Sequence, residues 1–197
     1  QEIFLLTILL LLIVGEIFIN KNKKESLVHF AIFLFGIHTI VGFFVIEESS
    51  LFGGMFRTNT LIHFFKNALN VGVLIVLLQS ADWIKEKMVP LNKGTEFFML
   101  LFSSLLGMYF MISAGDFLMF YLGLELSTLP VAALVAWETS KRISSEAGVK
   151  FVLSAGLASG ASLFGISLLY AATGSIYFAD IAPVLTSTNL TLLGFVL

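Results

Sequence analysis

Six apolar stretches, each about as long as a bilayer is thick, fill this chain, and two of them carry an ionised side chain. Crossing a hydrocarbon core takes about 20 residues of helix at 1.5 Å per residue. With no water at that depth, every backbone polar group must be satisfied within its own segment. The runs are continuously apolar and lack the alternation of a membrane β-barrel. They are therefore expected to form an all-α membrane protein, a polytopic transmembrane helix bundle. Glu125 falls in the middle of the fifth run and Lys150 within the sixth. A charge at membrane depth costs several kcal/mol unless it is paired or hydrated, so each is a functional candidate. The combination points to a bundle that moves ions, most simply protons.

Composition narrows the alternatives. The chain is 58% hydrophobic and 12% charged, about half the charge of an average soluble domain. Without cysteine it has no disulfide framework, thiolate metal site or iron–sulfur cluster of its own. Three scattered histidines make neither a dense metal site nor an obvious haem pair, and no basic stripe suggests nucleic acid. The first run has its lysines after it (Lys21, Lys23, Lys24), the reverse of a signal peptide, and reads as a retained first helix.

The expected spans are 3–19, 27–46, 60–79, 97–113, 116–136 and 147–171, with a seventh beginning near 189 and cut off at Leu197. Ser113-Ala114-Gly115-Asp116 is so short a link that helices four and five must form a tight antiparallel hairpin. Orientation follows from the basic residues. Loops one, three and five hold Lys21, Lys23, Lys24, Lys85, Lys87, Lys93, Lys141 and Arg142, whereas loops two, four and six hold only Arg57. The N-terminus is expected outside and the odd-numbered loops in the cytoplasm.

Glu125 lies about nine residues past the outer end of its helix, roughly 13 Å deep and close to the midplane. Tyr121 and Thr128, at i−4 and i+3, share its face and can hydrogen-bond the carboxylate or its waters. Pro130 frees the carbonyl of Leu126 and is a kink point. The alternative is a glutamate paired quietly with a neighbouring helix. Lys150 has two readings. Glu146 at i−4 offers a local pair, and a lysine near a helix end snorkels to the headgroups. Against that, Ser154, Ala158 and Ser162 continue its stripe as a helix-contact face, which would aim Lys150 into the bundle. Lys66, at the outer start of helix three, is accounted for by snorkelling, with an accessory place on the ion path as the alternative. His38 is either a relay group or a hydrogen-bonded packing residue. Glu16 and Asp116 sit at helix ends where water is expected, and Asp116 is also a natural N-cap. The phenylalanines read as lipid-facing bulk, and Gly156 with Gly160 as a GxxxG packing motif.

The stretch "SAGDFLMFYLGLELSTLPVAALVA", followed by "SSEAGVKFVLSAGLASGASLFGISLLYAATGS", closely resembles the N-type antiporter-like membrane subunit of proton-pumping NADH:quinone oxidoreductase, respiratory complex I. "YLGLELSTLP" and "SEAGVKF" are its specific parts, and "FFKNALNVGVLIVLLQS" looks like the family's third helix. Shorter elements recur in Mrp-type cation/proton antiporter subunits and in related hydrogenase membrane subunits. The resemblance implies about fourteen helices built around two inverted repeats. Residues 1–95 would hold N-terminal helices one to three, and 96–197 the first part of the antiporter-like repeat. It also implies that Glu125 is the family's helix-five glutamate and Lys150 a helix-six lysine of this subunit type. The helix-seven lysine that pairs with the glutamate would lie beyond Leu197. NADH, FMN, iron–sulfur clusters and quinone are expected on partner subunits and no cofactor on this chain. The implied partners are other complex I membrane subunits and the lipid of an energy-transducing inner membrane, the bacterial cytoplasmic membrane above all.

Overall fold

A computed structural model describes residues 1–18, 24–44, 48–84, 86, 94–138, 141–184 and 189–197. The all-α bundle expected from the apolar runs is what it shows. The helices are α1 (Glu2–Phe18), α2 (Lys24–Gly42), α3 (Thr60–Trp83), α4 (Gly94–Ile112), α5 (Phe117–Val135) and α6 (Arg142–Thr173), followed by a single turn α7 (Phe178–Ile181) and α8 (Asn189–Val196). By length and composition, α3 to α6 are each able to cross a membrane, while the apolar stretch Ser26–Gly42 of α2 is shorter. Helix α6 is the longest, at 32 residues, and outruns the expected 147–171 at both ends. It stops where Gly174 takes φ 71°, a left-handed C-cap whose N–H bonds Tyr170 O at 2.8 Å.

Helix α4 is the hub, in contact with α1, α2, α3 and α5. Its buried residues Phe98, Phe102, Leu105, Leu106 and Tyr109 recur at helical spacing. The α1 stripe Leu5, Ile8, Leu9 and Leu12 faces them, joined by Val28, Ala31 and Phe35 of α2. Phe35 stacks on Phe102 with centroids 4.9 Å apart, so some of the phenylalanines expected in lipid are core residues instead. Packing contacts of this kind, more than exclusion of water, hold membrane helices together.

Glycine sets the close approaches. A Cβ on Gly107 would stand 2.3 Å from Ser127 N, and one on Gly123 would stand 2.6 Å from Met111 N. Helices α4 and α5 therefore meet backbone to backbone, as their short link requires. Gly165 and Gly194 play the same part between α6 and α8, each within 2.8 Å of the other's carbonyl oxygen by the same measure. Gly156 and Gly160 have no atom within 4 Å of such a Cβ. The GxxxG spacing thus makes no packing contact among the described residues, contrary to its reading from sequence.

The connection before α3 contains a β-hairpin that the apolar pattern does not reveal. β1 (Ser49–Leu51) pairs antiparallel with β2 (Phe56–Thr58), and Gly53 and Gly54 turn the chain at φ 66° and 99°. Backbone bonds stitch it to the α4–α5 link, Arg57 N to Ser113 O at 2.8 Å and Gly115 N to Met55 O at 2.7 Å, and that link to the one after α6, Phe117 N to Ile176 O at 3.0 Å. Bridges Phe56–Ala114 and Asp116–Tyr177 complete it. The α2–α3, α4–α5 and α6–α7 connections therefore form one platform at the same end of the bundle. Asn59 starts α3 from this platform, its side chain accepting from Ile62 N at 2.8 Å.

Candidate functional site

Asp116 begins α5 as the expected N-cap, its Oδ1 accepting from Met119 N at 2.6 Å. It is fully buried in the platform, not washed by water as its helix-end position suggests. From this cap the helix runs unbroken through buried Pro130 and carries Glu125 about 13 Å along. Glu125 is half-buried. It lines a cavity of about 70 Å³ between α5 and α6 with Thr128, Leu129, Phe151, Ala155 and Gly156, room for water. Among the described residues its carboxylate makes no hydrogen bond or ion pair. Thr128 does not serve it, since its hydroxyl donates to Leu124 O at 3.0 Å in its own helix. Tyr121 lies one turn before Glu125, half-buried, and makes no side-chain hydrogen bond among the described residues.

Lys150 stands apart from this cavity. The buried residues of α6 are Gly148, Ser159, Gly165 and Leu169, and Lys150 sits about 200° round the helix from Gly148. Its side chain is 73% exposed and pairs with Glu146 at 2.5 Å. The local pair of the two sequence readings is the one formed, and the interior-facing reading is corrected. Ser154 and Ala158 are exposed as well, so the small-residue stripe buries nothing here. The structure does not bring Glu125 and Lys150 together among the described residues.

Lys66 brings the larger correction. It is 0% exposed and does not snorkel. Its ammonium pairs with the carboxylate of Glu2 on α1 and lies 5.3 Å from the Phe56 ring centroid and 5.7 Å from that of Tyr109. Tyr109 donates to Asn70 Oδ1. Its oxygen is 3.0 Å from His38 Nε2. His38 is also stacked on Phe4 at 5.2 Å. Asn67 donates to Gly42 O at 2.9 Å and accepts from Gln1 at 2.7 Å. Four helices thus converge on one buried polar cluster beside the platform. Sequence reasoning named Lys66 and His38 but missed Glu2, Asn67, Asn70 and Tyr109. A signal was available: His63, Lys66, Asn67 and Asn70 fall at i, i+3, i+4 and i+7, a polar stripe on an otherwise apolar helix.

Apolar helices with ionisable groups held between them make this chain a polytopic membrane-type helix bundle. Residues 114–197 match the family described as NADH:quinone oxidoreductase/Mrp antiporter, transmembrane. It is similar to NADH-quinone oxidoreductase subunit N of Phocaeicola vulgatus, 41% identical over 99% of this chain and 41% of the relative's length. Subunit N of Azobacteroides pseudotrichonymphae is 40% identical, over 100% of this chain and 41% of the relative. The chain therefore spans about two-fifths of the length of the curated relatives it matches. In fold it is similar to a chain of respiratory complex I from Thermus thermophilus with bound aureothin, at TM-score 0.72 and 20% identity, over 98% of this chain and 42% of the other. A chain of the archaeal membrane-bound sulfane sulfur reductase gives TM-score 0.75 and 20% identity, over 97% of this chain and 41% of the other.

Proposed function

We propose that this chain is part of a proton-translocating subunit of NADH:quinone oxidoreductase, with Glu125 carrying the proton. The observation that bears most weight is a carboxylate near the middle of a membrane helix. It faces a water-sized cavity and has no ion-pair partner among the described residues. A carboxylate placed so is a costly packing device and an effective proton holder. The subunit N relatives favour this reading over a free-standing Mrp-type antiporter. Redox chemistry belongs to partner subunits bearing NADH, FMN, iron–sulfur clusters and quinone, and reaches this chain as a change of charge or conformation.

Two unit charges about 7 Å apart interact by roughly 2–3 kcal/mol at an effective dielectric near 20. That suffices to decide whether Glu125 holds its proton as a cation approaches or withdraws. Lys150, paired with Glu146 on the exposed flank of α6, lies outside this site. The host membrane is an energy-transducing inner membrane, with the platform end outside, as the bias in the distribution of lysines favours. Glu125→Gln in the assembled complex tests the reading. Proton pumping driven by NADH should be lost while a native gel shows intact assembly. Normal coupled pumping would demote Glu125 to a packing residue.

A further inference from the structure

The buried cluster around Lys66 shares no residue with the Glu125 cavity, and its residue types say what it does. An ion pair shut inside a bundle is a poor stabiliser, because apolar side chains of the same volume hold the fold as well or better. The cation is lysine, which can give up its proton, and not arginine, which cannot. Its ammonium has three N–H donors but, among the described residues, only Glu2 as an acceptor, and it lies over the faces of Phe56 and Tyr109. Glu2 itself is 19% exposed, so the pair has one end sealed and one end open. The other titratable groups on the site are the amino group of Gln1, 3.5 Å from the second Glu2 oxygen, His38 on α2, His63 one turn away on α3 and Tyr109 on α4. A cavity of about 290 Å³ lined by Phe4, Thr7, His38 and Val41 adjoins it.

We infer that Lys66 and Glu2, backed by Tyr109 and His38, form a second proton-exchange site in the first four helices. This rests on the proton-translocating reading above. In the exchange the Nζ–H bond of Lys66 breaks as an O–H bond forms on Glu2, leaving amine and carboxylic acid. Glu2 then passes that proton to water at its exposed edge. The Lys66–Glu2 pair goes from neutral to a charge of −1, and the reverse steps reload it from water. No oxidant, reductant or other reactant enters. Because α4 carries Tyr109 at this site and packs backbone to backbone on α5, the charge change occurs one helix away from Glu125.

The test is the number of protons moved per NADH oxidised, in proteoliposomes of the assembled complex, for three variants. Lys66→Arg keeps the cation and its pair but cannot release a proton. Glu2→Gln with Lys66→Met removes the charges together and keeps the volume. Glu125→Gln reports on the parent reading. The expected result is a lowered ratio in Lys66→Arg and in the double variant, with both assembled. If arginine is too large for the pocket, the double variant decides alone. A wild-type ratio in whichever assembles overturns the proposal, as does failure of both to assemble, which would assign the pair to packing. Loss of pumping in Glu125→Gln with a wild-type ratio in the Lys66 variants leaves the proposed function standing and removes only this site. Normal pumping in Glu125→Gln removes the parent reading itself.

Discussion

Lys66 and Lys150 carry the same side chain in opposite settings, and their substitutions should separate accordingly. Glu2→Ala strands a fully buried ammonium, which costs about 3–5 kcal/mol. The detergent-solubilised complex should show a clear drop in the melting midpoint of this subunit. Lys150→Met breaks a surface pair worth about 0.3–0.5 kcal/mol, and the same melt should not move. Glu125 could be picked out from sequence because one acidic residue in the middle of an apolar run has few interpretations. Burial of Lys66 could not be read from its distance to the helix end. That distance says where headgroups are, whereas burial depends on which face meets α1 and α4. The partner, Glu2, lies 64 positions away in sequence, beyond any local periodicity.

The helices were legible because length and hydropathy decide them within a few residues, and the tight α4–α5 hairpin followed from a short link. Which glycines matter was not legible, since GxxxG spacing describes a ridge without showing that anything lies in it. Gly107→Ala sets a methyl carbon against the α5 backbone, which cannot yield as a flexible side chain does. It should lower the yield of assembled complex on a native gel, and Gly123→Ala should do the same from the opposite helix. Gly156→Ala meets no neighbour within the described structure and should leave the yield unchanged, helped by the better helix propensity of alanine. The β-hairpin escaped for a different reason. Its strands are three residues each and exist through backbone partners at Ser113, Ala114 and Gly115, far along the chain.

Across the whole molecule, the alternation of basic loops agrees with an up-and-down bundle whose α2–α3, α4–α5 and α6–α7 connections share one end. Absence of cysteine makes the sidedness directly measurable. In right-side-out membranes, a membrane-impermeant maleimide should label Ser50→Cys and leave Lys141→Cys unlabelled until the vesicles are opened. The opposite pattern would invert the proposed orientation. Main-chain bonds tie the links of the platform at that end together, and a side chain is excluded where Gly115 presses within 2.0 Å of Gly54 O, measured from a Cβ it lacks, and strained at Gly53 and Gly54, where φ is positive. A structure spelled in amides is indifferent to most of the alphabet. Side chains of this rim that make no such bond can therefore change without disturbing the contact of strand and link, whereas Gly115 cannot.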